Sequence, residues 1–230
     1  MQSFDFAVVH YLNGYARHSV VFDRFMTQVL LLPSVKLLPL IACLVWAWFS
    51  LSDREKHRQL VLLTVAGAFV AVVVSRLIQD LSPLRQRPLH EATLHFVTPY
   101  GVGTDVLAEW SSFPSDHAAI AFALAIGIYW FSRSVGIAGL SWAFIVVCAP
   151  RVYAGFHYPS DVLAGAVIGM AATMTAIWIG RDRTWVAYLL RIETTRPPLF
   201  YSAMFLMAYE FVTMFNDVRL LARHAVKVLM

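Results

Sequence analysis

The stretch Val162–Gly180, VLAGAVIGMAATMTAIWIG, runs its whole length without an Asp, Glu, Lys or Arg. A helix needs roughly 20 mostly apolar residues to cross the hydrocarbon of a bilayer, with about 17 as the lower limit. Four more charge-free windows stand at 37–52, 59–75, 117–132 and 134–150. With polar ends added, the pattern predicts helices near 35–52, 59–79, 116–133, 136–153 and 160–180. Leu199–Phe215 is a sixth apolar stretch, interrupted by Glu210. The expected fold is all-α, a polytopic membrane helical bundle with about five to six transmembrane helices.

Composition agrees. The 230 residues are 59% hydrophobic and 14% charged, whereas soluble domains have about 45–50% apolar and about 25% charged residues. Sixteen Phe, nine Tyr and seven Trp exclude a low-complexity disordered chain. The net charge of +4 sits in short clusters between apolar runs. That layout reports membrane orientation and gives no reason to expect a nucleic-acid partner. Cys43 and Cys148 both lie inside apolar runs, where neither a disulfide nor a metal site is expected. No two of the eight histidines stand at metal-ligand spacing on one helix, so no metal and no other cofactor is expected.

The connections set the orientation. Asp53-Arg54-Glu55-Lys56-His57-Arg58 is a charged turn assigned to the cytoplasmic side, as are Arg133 and the group Arg181, Arg183, Arg191 and Arg196. Segments 80–115 and 151–160 then lie together on the extracytoplasmic side. The chain divides into an interfacial amphipathic segment, 1–34, interrupted by Asp5, Arg17, Asp23 and Arg24; a membrane core, 35–180; and a C-terminal helical segment, 181–230, with one further candidate span. Residues 1–34 lack the basic start, apolar core and small-residue cleavage site of a removable signal. Arg219, Arg223 and Lys227 would face outward if 199–215 spanned. His10, His18, His57 and His224 read as bystanders.

Three polar clusters fall on the outer side: Arg85-Gln86-Arg87-Pro88, Phe113-Pro114-Ser115-Asp116-His117-Ala118, and Arg151 through Asp161. Pro114-Ser115-Asp116 before an apolar run is a helix start, with Ser115 or Asp116 as N-cap. The free N–H groups of such an end attract anions, phosphate among them, and His117 falls in that first turn. His157 and Asp161 are four residues apart. A carboxylate there accepts from one ring nitrogen and leaves the other as base or nucleophile. Arg87 and Arg151 add planar forks suited to phosphate oxygens. Together these groups describe phosphoryl transfer without a metal. In the loop 88–113, His90, Glu91, His95, Asp105 and Glu109 read as solvated, with a lid or headgroup contact as the alternative.

Arg87-Pro88, Pro114-Ser115-Asp116-His117, and Arg151 followed by His157 and Asp161 resemble the type 2 phosphatidic acid phosphatase superfamily. The likeness spans about 59–180, and Phe-Pro-Ser-Asp-His-Ala is similar to the branch containing bacterial undecaprenyl-diphosphate phosphatases. The resemblance implies that His157 attacks phosphorus to give a phosphohistidine and that Asp161 orients it. It implies that His117 protonates the leaving oxygen and then activates water. It assigns Arg87, Arg151 and the Ser115 hydroxyl to the phosphate oxygens.

Three positions depart from the family pattern. Asp80 stands where the family has Lys, with Arg76 and Arg85 as the nearby cations able to replace it; Asp116 stands for Gly; and Pro150 stands for Ser. The reading implied is a membrane phosphatase in a bacterial inner membrane, its site facing outward among membrane lipids. The first-choice substrate is undecaprenyl diphosphate. Phosphatidic acid or phosphatidylglycerol phosphate is the enzymatic alternative, and a catalytically silent lipid-phosphate binder or transporter is the alternative of another class. The oligomeric state is left open.

Overall fold

Helices begin where the sequence supplies a cap or a proline and stop where the backbone is forced out of the helical region. The computed structural model describes residues 2–104, 106–180 and 184–216. Among them the helices are α1 Gln2–Asn13, α2 Val20–Leu31, α3 Pro33–Phe49, α4 Arg54–Leu81, α5 Asp116–Phe131, α6 Arg133–Tyr153, α7 Pro159–Gly180, α8 Thr184–Thr195 and α9 Pro197–Thr213, with no β-strand. Asp105, Arg181, Arg183, Arg219, Arg223, His224 and Lys227 lie outside the described residues.

Pro33 opens α3 and ends α2. The residue before a proline is pushed out of the α region, and Leu32 is extended, so the two helices meet at a 55° bend. By length and composition, α4, α6 and α7 suffice to cross a membrane alone, and the bent α2–α3 pair makes a fourth candidate. Among the shorter helices, α5 is apolar as well. α5, 16 residues, goes from Asp116 at the cavity described below to Phe131 beside Trp46 at the other end. α9, 17 residues, starts with Phe200 stacked on Trp48, and Asn216 just beyond it reaches the cavity. The expected five to six spans is therefore an approximate count.

The core is the trio α4, α5 and α7. With lipid tails as apolar as leucine, membrane helices associate through close backbone approach at small residues. Gly165 and Gly169 on α7 supply it. A Cβ at Gly165 would lie 2.2 Å from the Ser115 carbonyl oxygen, and one at Gly169 would lie 2.0 Å from that of Ala119. Facing them, Ala118, Ala119 and Ala123 are fully buried. This contact fixes the start of α5 against the start of α7, which is where the second and third polar clusters sit.

Within α6, residues Ala143–Cys148 form a wide π turn just before Pro150. Proline has no N–H to continue the regular ladder, and such turns cluster at functional sites. Arg151 follows at once and is buried. At the far end, Arg58 reaches Glu193 at 2.7 Å and lies over Trp48, tying α4 to α3 and α8.

The first two helices turn their charges inward. Asp5 and Asp23 are fully buried, whereas Val21 and Phe25 are exposed. Asn13 pairs with both the N–H and the carbonyl of Val97, and Asp23 accepts from the N–H of Tyr100 at 3.0 Å. The polar side of α1 and α2 thus clamps the outer loop, and apolar residues of their other side are left exposed.

Candidate active site

Backbone bonds stitch the three polar clusters together. Leu89 N–H donates to Gly155, Ser112 N–H to Arg85, and Ser115 N–H to Asp161, each at 3.0 Å. Gly155 has φ +73°, where a side chain is strained, and a Cβ there would lie 2.7 Å from the Phe96 ring. Only glycine fits that turn without strain. The joined segments surround a cavity of about 280 Å³, whose lining includes Arg76, Gln79, Arg87, Trp110, Asp116, His117, Arg151 and His157.

His157 lies in the short loop between α6 and α7 and is buried. Its Nδ1 is 2.8 Å from the carbonyl oxygen of Ser112 and 3.7 Å from Asp161 Oδ2. The backbone carbonyl is therefore the nearer acceptor, and Nε2 is the ring nitrogen left for the cavity. Burial holds the His157 pKa below its ordinary 6.5, outweighing the opposing pull of the Asp161 carboxylate, while Arg87 and Arg151 push the same way as burial. A neutral imidazole at neutral pH is the consequence. Asp161 is fully buried behind it, accepting from Tyr158 N–H at 2.7 Å and from Arg85 at 2.5 Å.

His117 occupies the first turn of α5. Asp116 Oδ1 accepts from its backbone N–H at 2.8 Å and lies 2.9 Å from its Nδ1. The other oxygen, Oδ2, pairs with Arg76. Asp116 thus turns into the cavity and sets the His117 ring. Ser115 is the N-cap: its Oγ accepts from Ala118 N–H at 3.4 Å, it is fully buried, and it does not line the cavity.

The cations divide into two groups. Arg87 donates to the carbonyls of Phe156 at 2.5 Å and Ser111 at 3.2 Å, leaving Nε buried without a partner among the described residues. Burial pulls its pKa down to about 10, so it stays charged at neutral pH. Nη1 of Arg151 is likewise buried and unpartnered among the described residues. Unsatisfied buried N–H groups are costly, and an oxyanion in the cavity is the natural acceptor for them. Arg76 lines the same cavity, held by Asp116 and by Gln79 at 3.0 Å. Of the two cations expected to replace the missing Lys, only Arg76 reaches this cavity. Arg85 points behind it, and Asp80 is exposed on α4.

Some groups carried no sequence signal. The Ser112 carbonyl belongs to the backbone, and side-chain patterns do not report it. Gln79 stands beside Asp80 and, being uncharged, carries no such signal; it donates to the Pro114 carbonyl at 2.6 Å. Lys36 on α3 is buried, with its ammonium 2.9 Å from the Leu30 carbonyl at the cavity wall. Among the described residues no cluster of His, Cys, Asp and Glu is arranged to hold a metal. In the outer loop, His90 bonds the Val106 carbonyl at 3.0 Å and Glu91 caps a short turn through Thr93, so both are occupied locally.

Fold and site together define an all-helical integral membrane protein with a cavity lined by two histidines and three arginines at one end of the bundle. The PAP2 superfamily matches residues 82–185. The chain is 31% identical over 146 residues to the putative undecaprenyl-diphosphatase YbjG of Escherichia coli, covering 63% of this chain and 68% of that protein. It is 29% identical to the undecaprenyl-diphosphatase BcrC of Bacillus subtilis, covering 69% and 75%. A decaprenylphosphoryl-5-phosphoribose phosphatase of Mycobacterium tuberculosis is 32% identical, covering 61% and 76%. The crystal structure of Aquifex aeolicus LpxE aligns with a TM-score of 0.49 and 24% identity, covering 75% of this chain and 93% of that one. The chain belongs to the PAP2 superfamily, and it is a phosphatase.

Proposed function

We propose that this phosphatase hydrolyses a polyprenyl diphosphate, with undecaprenyl diphosphate as first choice, to the lipid monophosphate and inorganic phosphate. The lipid tail stays in the bilayer while the diphosphate enters the cavity at the helix ends. In this reading the cavity faces outward from a bacterial inner membrane, as the basic turn at 53–58 on the opposite side favours. The observation that carries the reading is the pairing of unsatisfied guanidinium donors, Arg151 Nη1 and Arg87 Nε, with a neutral His157 on one cavity. Relatives whose names state undecaprenyl-diphosphatase activity support the choice of lipid.

The chemistry runs in two displacements. The Nε2 lone pair of His157 attacks the terminal phosphorus, and the bond to the bridging oxygen breaks. His117 delivers a proton to that oxygen, and the lipid monophosphate leaves. Water then attacks the phosphohistidine, giving its proton to His117, and the P–N bond breaks with its electron pair returning to Nε2. Arg87, Arg151 and Arg76 hold the equatorial oxygens throughout, most strongly where charge builds. Asp161 balances the charge on His157, and Ser115 holds the first turn of α5 in place.

The test is phosphate release by purified protein from undecaprenyl diphosphate, phosphatidic acid and phosphatidylglycerol phosphate, with and without EDTA. Release that is fastest from the diphosphate, survives EDTA and is lost in His157→Ala is expected. Faster release from either monophosphate would overturn the choice of lipid. Binding without release would make the protein a silent binder, and full activity in His157→Ala would remove the nucleophile assignment.

A further inference from the structure

Asp5 is a deeply engaged carboxylate outside the cavity. It sits in the first turns of α1, fully buried, and carries three bonds. Its Oδ1 accepts from the backbone N–H of Ser160 at 2.9 Å. Its Oδ2 accepts from the Ser160 hydroxyl at 2.6 Å and from Arg85 at 2.7 Å. Arg85 completes the ring. One of its nitrogens, Nη1, donates to the Ser160 hydroxyl at 2.9 Å and to Asp161 Oδ1 at 2.5 Å. The guanidinium lies over Tyr158, 4.4 Å from the ring centre, and Phe6 of α1 stacks on the same ring at 6.1 Å.

We infer that α1 is a working part of the active site, with Asp5 as a positioning residue that holds Asp161, and through it the His157 loop, by way of Ser160 and Arg85. Two physical points carry this. Ser160 and Asp161 form the first turn of α7, whose free N–H groups need acceptors; Asp5 takes one of them, so α7 starts where α1 puts it. Arg85 stands between two buried carboxylates. Without Asp5, its charge would answer to Asp161 alone, and Asp161 would be drawn towards Arg85 and away from the imidazole 3.7 Å from it. An ångström of misplacement at a reacting group costs on the order of 100-fold in rate. The inference rests on the proposed phosphohistidine chemistry and adds to it a residue from the segment expected to be merely interfacial.

Asp5→Asn keeps the shape of the side chain and removes its charge. In this variant kcat for undecaprenyl diphosphate is expected to fall roughly 10- to 100-fold. KM and the inhibition constant of inorganic phosphate stay within about twofold, because Arg87 and Arg151 are untouched. Asn13→Ala, which loosens α1 from Val97 without touching the network, is expected to keep kcat within about twofold. Should Asp5→Asn fail to fold, Ser160→Ala decides the matter. It removes only the bridging hydroxyl and is expected to lower kcat with the phosphate constant unchanged. A folded Asp5→Asn with wild-type kcat overturns the inference, as does a loss of kcat matched by an equal loss of phosphate affinity. A wild type that releases phosphate from no lipid removes the proposed function first and this inference with it.

Discussion

The ring of His157 makes its shortest hydrogen bond to the backbone of Ser112, 2.8 Å from Nδ1, while the Asp161 carboxylate stands at 3.7 Å. A backbone carbonyl fixes the tautomer as firmly as a carboxylate does and is not removed by mutating a side chain. The two residues are therefore expected to respond unequally. On the proposed mechanism, His157→Ala is expected to eliminate turnover, because it removes the attacking nitrogen. Asp161→Asn keeps the tautomer and loses the balancing charge, and kcat is expected to fall roughly 100-fold. Steady-state phosphate release from both variants checks this, and equal loss in the two would show that Asp161, not Ser112, sets the ring.

The lowered pKa of His157 gives the pH dependence a sign. Attack needs the neutral imidazole, and burial keeps it neutral below its ordinary 6.5. The acid limb of kcat is thus expected below pH 6.5, where His157 gains the proton that blocks attack. A flat profile from about pH 5 to 9 would count against the two-histidine scheme. The same shift affects stability. The unfolded chain binds a proton near 6.5 and the folded one only below it. The stability that neutral His157 contributes is full above that value and is lost as pH falls towards the lowered pKa. Thermal unfolding in detergent between about pH 7 and 5 measures it, with a falling midpoint expected.

How the polar residues divide between the legible and the hidden follows from range. Val162–Gly180 is legible because hydropathy is local, and α7 forms at Pro159–Gly180 beside an expectation of 160–180. The start of α4 at Arg54 is hidden, because the charged first turn reads as a loop although it is helical. His117, His157, Arg87 and Arg151 do converge on one cavity, since each sits in one of the three polar clusters that flank the apolar runs. Asp5 and Asp23 read as interruptions of an apolar stretch. Their long-range partners lie 77 to 155 residues away in the sequence, too far for any local pattern to report.

Helix packing at Gly169 leaves no room for even one methyl. A Cβ there would meet the Ala119 carbonyl oxygen at 2.0 Å, a backbone atom that cannot rotate aside. Gly169→Ala is expected to separate α7 from α5 and cost about 1–3 kcal/mol. Leu163→Ala on the exposed side of the same helix is expected to change the unfolding midpoint little. Comparing the two midpoints in one detergent tests whether the close approach, rather than α7 itself, holds the site end together.

Arg76 and Asp116 form an ion pair on the wall of the cavity. Alone, each becomes a liability. Removing Arg76 leaves a carboxylate in the cavity facing the incoming phosphate, so Arg76→Ala is expected to raise KM by about tenfold or more. Removing Asp116 frees Arg76 but releases the His117 ring, so Asp116→Gly is expected to lower kcat with KM held or improved. The double variant lacks the repelling carboxylate and is expected to bind lipid diphosphate better than Arg76→Ala does. The cycle of kcat/KM values should then show a coupling of roughly 0.5–3 kcal/mol, as for residues in direct contact. Additive losses would mean that the ion pair only fastens α4 to α5 and that the substrate never meets it.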